Sequence, residues 1–419
     1  MDSPSPKKFA ILVGGGPAPG INSVIEAATI RSRLCGVEVL GIEDGFQWLM
    51  KSDLSHTQPL TRETVSHLHF RGGSLLGTSR ANPTKRPQDL STTLTSLQKL
   101  DVTGLITIGG DDTAFSALKL AELASGRLHV VHVPKTIDND LCLPHGMPTF
   151  GFQTARHMGV ELVKNLMIDA HTTSRWYFVV TMGRKAGHLA LGIGKAAGAT
   201  LTLIPEEFKG TTLKLGHLTN ILVGAMTKRL VQGRSDGVAV LAEGLSEFLD
   251  QDDLALLGGV ERDEHGNIRL AELDIGKVLK ETVSQKLKHS GIKITIVSKN
   301  IGYELRCADP IPFDMEYTRD LGYCAAQFLL DGGNGAMVSI VNGRFTPLPF
   351  SDIVDSATGR TRVRMVDVDS ESYKIARAYM ARLEPEDLAN METVTQYAEM
   401  LNMTPDQFRS TFEAVANPF

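Results

Sequence analysis

The chain has 419 residues, 42% hydrophobic and 22% charged, which excludes a disordered chain, a collagen or a coiled coil and, at about 150 residues per domain, suggests two to three domains. A net charge of −5 offers no global field to a polyanion, so nucleic acid is not an expected partner and phosphate chemistry has to rest on local basic residues. Forty glycines against 6% aromatics point to many tight turns or many places where backbone approaches a ligand closely.

The opening MDSPSPKKFAILV carries five apolar residues before the glycines begin, too few for a secretory signal or a membrane span. Phe9 to Val13 then reads as a strand, and Asn22 to Leu34 as a helix with Val24, Ile25, Ala28 and Leu34 near a 3.6-residue period. The same unit recurs: strand Gly104 to Ile108 with helix Thr113 to Leu123, strand Val130 to Val133, strand Trp176 to Thr181 with helix His188 to Ala197, and strands Val238 to Leu241 and Lys293 to Val297. This alternation predicts an α/β fold on largely parallel sheets. Glu261 to Asn267 reads as a solvated polar turn, and residues 351–419, richer in charge and helical in pattern, as a helical C-terminal extension. Cys35, Cys142, Cys307 and Cys324 stand far apart with no metal-binding spacing, as expected of reduced thiols in a cytoplasmic protein.

Polar and glycine-rich clusters follow the predicted strands, where open parallel sheets place ligands. GGGPAPGIN, Gly14 to Asn22, is either an anion-binding backbone turn centred on Gly15 or only a tight turn. RGGSLLGTSRANPTKR gathers Arg71, Arg80, Lys85 and Arg86, and the two earlier guanidinium groups match phosphate geometry best. In GGDDT, Asp111 and Asp112 suit magnesium, which takes one or two protein carboxylates and fills its shell with water and phosphate, although an aspartate there also caps a helix. PKTIDND places Lys135, Asp138 and Asp140 within six residues. Phosphoryl transfer to a hydroxyl needs a carboxylate to accept the proton and a cation on the developing charge. Arg175, the MGR of Met182 to Arg184, Glu243, Lys299 and the YELR of Tyr303 to Arg306 form a further set suited to a polyol phosphate.

At PKTIDND, GGDD and MGR the chain resembles the phosphofructokinase family over about its first 350 residues. The resemblance implies two Rossmann-like three-layer α/β domains with the active site in the cleft between them: residues 1–141 with 305–350 on the phosphoryl-donor side, and 142–304 on the sugar-phosphate side. It implies Asp138 as the general base, Asp111 and Asp140 as magnesium ligands, and Gly15, Arg71 and Arg80 on the donor. Thr136, Ile137, Asp138, Arg175, Met182, Gly183, Arg184, Glu243, Tyr303, Glu304, Leu305 and Arg306 would form the sugar-phosphate site, Arg184 also serving catalysis. Arg175 is the position that usually reaches into a neighbouring subunit, so a homodimer or homotetramer is implied. ATP-using members carry glycine where this chain has Asp112 and Lys135. A carboxylate at 112 fills and repels the place of an α-phosphate, and Lys135 adds charge at the transferring group, so the chain resembles the pyrophosphate-dependent branch. Pyrophosphate and fructose 6-phosphate are then the expected substrates, in a reversible glycolytic and gluconeogenic step. The alternatives are an ATP-using enzyme, a sedoheptulose 7-phosphate kinase and a silent sugar-phosphate-binding regulatory subunit, the last disfavoured because Asp111, Asp138 and Asp140 are all present.

Overall fold

In KFAILV every residue after the lysine is apolar, the pattern of a strand covered on both faces, and β1 (Lys8–Val13) is buried from Phe9 onward. In chain order the strands that follow are β2 (Glu38–Ile42), β3 (Thr57–Leu60), β4 (Gly104–Gly109), β5 (His129–Thr136), β6 (Phe150–Gly151), β7 (Arg175–Thr181), β8 (Leu201–Leu203), β9 (Gly237–Ala242), β10 (Thr295–Ile301), β11 (Ala336–Met337), β12 (Ile340–Val341), β13 (Arg344–Phe345) and β14 (Leu348–Pro349). The computed structural model describes residues 7–210, 212–250, 252–253, 273–355 and 361–416. The turn expected at Glu261–Asn267 lies outside them.

Compactness divides the chain into two units, Met1–Ala155 with Tyr303–Arg364, and Arg156–Gly302 with Met365–Phe419. The first is built on a sheet of order β14-β11-β5-β4-β1-β2-β3, with β6 added to β5. Its interior pairings are parallel, and antiparallel β3 and β14 close the two edges. Helix Ile21–Leu34 lies against helix Pro312–Leu330 through Gly322, where a Cβ would come within 2.5 Å of the Val24 carbonyl. The second unit holds the parallel sheet β10-β7-β9-β8. Parallel neighbours need crossovers long enough to carry a helix, which explains the strand-helix alternation of the sequence.

Register decides what the loops can do. Val13 pairs with Ile108 and Ile108 with Val133, so β1 and β4 end within one residue of each other, β5 runs three residues past that level, and GGG, GGDD and TIDND leave along one edge. In the second unit Thr181 pairs with both Ala242 and Ile301, which brings MGR, Glu243 and Gly302 to one edge in the same way.

The expected domain boundaries do not coincide with the compact units, which change at 155/156, 302/303 and 364/365. Nor do residues 351–419 form an extension of their own: 351–364 belong to the first unit and the rest to the second. The reason is apolar spacing within a charged segment. Val394, Tyr397, Ala398 and Leu401 line one face of helix Met391–Met400 and its end, and Phe408, Phe412, Val415 and Ala416 one face of helix Pro405–Ala416. Both stripes join a core that includes Trp176, Phe178, Leu222 and Met226. Ahead of them Arg382 is buried, its guanidinium donating to both carboxylate oxygens of Glu207 at 2.6 and 3.0 Å and to the Thr202 carbonyl at 2.6 Å. Both side chains are at most 4% exposed. Removing one partner of such a pair strands the other charge in the interior. Arg382→Ala should therefore cost about 3–5 kcal/mol of stability, measured by urea denaturation, far more than an exposed arginine such as Arg234 would.

Candidate functional site

The central residue is Lys135. β5 runs three residues beyond the expected strand end, so Lys135 is a strand residue and its side chain is buried, 5% exposed, rather than free on a loop. Its ammonium donates to the Gly16 carbonyl. Burial pushes it down to about 8 from 10.5; Asp138 and Asp140 pull the other way, and Arg306 and Arg80 add to the fall. The residues assigned to donor, base and metal therefore act electrostatically on one buried cation. Beneath it His132 is fully buried and, through that burial first, is pushed down to about 3. It is neutral, lies 2.8 Å from the Thr107 hydroxyl through Nδ1 and donates from Nε2 to the Gly109 carbonyl at 3.0 Å. It thereby ties the base of the GGDD turn to β5 and is no acid or base of the reaction.

The glycine turn is shaped by that cation. Gly15 adopts φ +81°, and a Cβ there would lie 3.4 Å from the Lys135 ammonium; one on Gly16 would lie 3.2 Å from the Arg306 guanidinium. The amide of Gly15 donates to the Ser79 carbonyl at 2.8 Å and that of Gly14 to Ile108 at 2.8 Å. Both N–H groups are thus committed to the protein, and Gly15 supports the site by making room rather than by offering its amide to an anion. Sequence reasoning missed this because hydrogen-bond partners distant in the chain leave no local signal.

The basic loop is fixed by helix Ile21–Leu34. Buried Asn22 donates to the carbonyls of Arg71 and Gly72 at 3.2 and 3.1 Å and accepts from Leu75 N–H at 2.7 Å, while Glu26 accepts from Leu68 and His69 N–H, both at 2.8 Å. Gly72 backs onto the carbonyls of Cys307 and Ala308, which sets Arg71 beside the chain that leaves Arg306. Thr78 donates to the Gly15 carbonyl at 2.6 Å. Arg86, by contrast, pairs with Asp89 at 2.8 Å in its own helix start.

Asp111 and Asp112 occupy the first turn of helix Asp111–Ala124, which starts two residues earlier than expected, where helix dipole and carboxylate attract. Asp111 accepts from the Asp112 N–H at 2.9 Å, and the Asp112 side chain is exposed. Among the described residues no group of three or more His, Cys, Asp or Glu forms a metal cage. Magnesium needs none, since one or two carboxylates with water and phosphate oxygens suffice; Asp111 and Asp140 fit that requirement. Thr136 accepts from the Asp138 N–H at 3.0 Å, a tight turn that presents Asp138 just past β5. Ile137 and Leu305 are buried and could offer a ligand only backbone. Tyr303 is 72% exposed, with Arg306 4.5 Å over its ring, and Glu304 neighbours it in the same short helix.

In the second unit Arg184 and Glu243 form an ion pair of 3.0 Å. Gly244 N–H donates to the Gly183 carbonyl at 3.2 Å, Glu243 N–H to Thr181 at 3.0 Å, and Met182 packs on Gly302. Gly183, at φ +122°, makes the sharp exit from β7 that this requires. Two members of the sequence-defined set do not join them. Arg175 begins β7, so the whole strand, about 20 Å at 3.3 Å per residue, separates it from Met182, and its nearest ion partner is Asp169 at 3.8 Å. Lys299 lies inside β10, paired with Val179, rather than after the strand.

Comparison with known proteins places these residues in context. Residues 8–329 match the family model described as phosphofructokinase. The chain is 53% identical to pyrophosphate–fructose 6-phosphate 1-phosphotransferase of Thermotoga maritima, over 97% of this chain and 98% of that one. It is 49% identical to the protein of the same name in Naegleria fowleri, over 97% and 95%. The crystal structure of pyrophosphate-dependent phosphofructokinase from Nitrosospira multiformis superposes with a TM-score of 0.68 at 17% identity, covering 89% of this chain and 90% of that one; this likeness shows the fold.

A buried ammonium with a value near 8 titrates in an accessible range. Because the folded value lies below the ordinary 10.5, the charge is present below about pH 8 and lost above it. Binding of methylenediphosphonate, an unreactive diphosphate, should weaken as pH rises through about 8. In Lys135→Met it should be weak throughout, with that pH step gone; calorimetric titration over roughly pH 7 to 9.5 reads both.

Proposed function

Since the chain belongs to the phosphofructokinase family, we propose that it transfers a phosphoryl group reversibly from pyrophosphate to the 1-hydroxyl of fructose 6-phosphate, giving fructose 1,6-bisphosphate and phosphate. Near-full-length relatives of that name, at 53% and 49% identity, support the activity. The observation that carries the site assignment is the buried Lys135 ammonium, coupled to Asp138, Asp140, Arg80 and Arg306 at the end of β5.

In this reading the Asp138 carboxylate accepts the proton of the sugar 1-hydroxyl as its oxygen bonds to the transferring phosphorus. The bond from that phosphorus to the bridging oxygen breaks, and inorganic phosphate leaves. In the reverse direction Asp138 returns the proton. Lys135, buried and so largely dehydrated before reaction, opposes the charge on the phosphoryl oxygens together with Arg80 and Arg306, and little reorganisation is needed at the ammonium. Asp111 and Asp140 would hold a magnesium ion, which when bound neutralises phosphate charge. The committed amides of Gly14 and Gly15 leave the donor to be held by side chains, Arg71 included. Arg184 and Glu243, with Met182 and Gly183, bind the sugar phosphate; Thr136 and the Tyr303–Arg306 helix are assigned to the same substrate. Arg175, a strand length from Met182 in its own unit, serves a neighbouring subunit of a homo-oligomer. Four unpaired cysteines support a cytoplasmic location, and none of the described helices is long and apolar enough to cross a membrane.

Asp112 and Lys135 choose the donor. The Asp112 carboxylate occupies the mouth of the GGDD turn, where a third phosphate would have to pass, and Lys135 supplies the charge that a nucleotide's remote binding would otherwise make unnecessary.

Turnover with pyrophosphate and none with ATP is expected, and activity with ATP alone would sink the reading. Asp112→Gly should admit measurable ATP turnover. Asp138→Ala should lower kcat about a thousandfold with the KM for fructose 6-phosphate nearly unchanged; turnover near that of the unaltered enzyme would remove Asp138 from the base role.

A further inference from the structure

The family match ends at residue 329, yet a residue well beyond it holds the turn that carries the base. Arg364 comes from the strand-like segment that follows helix Phe350–Ile353. Its guanidinium donates from Nε to the Asn139 carbonyl at 3.0 Å, from one terminal nitrogen to the Met147 carbonyl at 2.8 Å, and from the other to the Asn139 side-chain oxygen. Its own N–H donates to the Asp140 carbonyl at 2.7 Å, and Val363 pairs with Leu141 in an antiparallel bridge. One side chain thus spans both ends of the loop from Asn139 to Met147, and its backbone N–H holds the Asp140 end of the Asp138–Asp140 turn.

That turn needs holding. Asn139 stands at φ +58°, a left-handed conformation that a residue other than glycine keeps only where its surroundings over-determine it. Its side-chain oxygen, shared by Arg364 and the Thr149 N–H at 3.0 Å, supplies part of that determination. The two carboxylates assigned to base and metal flank it directly. Burial lowers the Arg364 guanidinium below its ordinary value, with Cys142, Asp140 and Tyr317 opposing, so the cation also lies within the field of Asp140. A planar fork with five donors reaches three oxygens from three separate nitrogens, whereas the three donors of an ammonium all leave a single nitrogen.

We propose that Arg364 is a positioning residue for phosphoryl transfer: it clamps Asn139 in its left-handed conformation and so sets the carboxylates of Asp138 and Asp140, without itself touching substrate. This rests on the reading of Asp138 as the base. The clamp lies in a segment that charge and helical pattern alone would assign to an accessory tail.

The test is steady-state kinetics of full-length Arg364→Ala, Arg364→Lys and Asn139→Gly with pyrophosphate and fructose 6-phosphate. A reacting group misplaced by about an ångström loses on the order of a hundredfold in rate. Arg364→Ala should therefore lose about 10- to 100-fold in kcat with the KM for fructose 6-phosphate within about twofold, and added ethylguanidinium should restore part of the loss. Arg364→Lys, which keeps the charge and most of the packing, should fold as the unaltered protein does by circular dichroism and still show a lowered kcat. The double variant Arg364→Lys/Asn139→Gly should lose no more than the worse single variant, because both break one clamp. A folded Arg364→Lys enzyme with kcat within about twofold of normal, losses that add in the double variant, or a change confined to KM would each overturn the proposal. Asp138→Ala run in parallel separates the two readings. If it is inactive while the Arg364 variants are normal, only the clamp fails; if it turns over normally, the base assignment itself fails.

Discussion

Burying an ammonium is among the costliest things a protein interior can do, and the first unit is arranged around having done so at Lys135. The charge is stabilised by the Gly16 carbonyl and by the field of Asp138 and Asp140, while Arg306 and Arg80 work against it. This leaves Lys135 poorly hydrated and holding its proton less tightly than a lysine in water. An anion beside it would relieve both conditions, which is the physical basis of the proposed phosphate site.

The neighbouring features follow from that ammonium. Gly15 and Gly16 lie against the Lys135 ammonium and the Arg306 guanidinium, where a Cβ would come to 3.4 and 3.2 Å. The amides of Gly15 and Gly14 are committed to Ser79 and Ile108, which leaves side-chain cations rather than these N–H groups to meet an anion. His132 is kept neutral first by its complete burial, with the Lys135 charge adding to the effect, and in that state it serves as a brace for the GGDD turn. Asn22 and Glu26 use a buried helix face to fix the loop that carries Arg71. Rigid polar support of this kind gives geometric precision that surface ion pairs, being mobile and solvated, do not.

Much of the fold and site was legible in sequence because it is local. Strand runs such as FAILV, the glycine pairs that follow them and the carboxylates beyond are read from adjacent residues, and the rule that open parallel sheets bind ligands past their strand ends places them on one edge. Legibility ended where identity depended on partners far along the chain. Arg175 stands at the start of β7, a strand length from Met182, as a strand beginning at Trp176 already implied. Lys299, expected past a strand ending at Val297, stands inside β10 because the strand continues to Ile301. The C-terminal segment read as an accessory because its charge was visible, whereas the fit of Phe408 and Phe412 into the core with Trp176 was not.

By itself, then, the sequence determined the alternating α/β architecture and the strand-end location of the polar and glycine-rich clusters, since periodicity, glycine and charge act over a few neighbouring positions. Only the tertiary structure decided that Lys135 is buried, that Gly15 spends its amide on Ser79, and that Arg364, more than 200 residues downstream of Asn139, closes the Asp138 turn. Each of those depends on which distant segment fills the space beside a residue, and that is settled by the simultaneous burial and hydrogen-bond satisfaction of the whole unit.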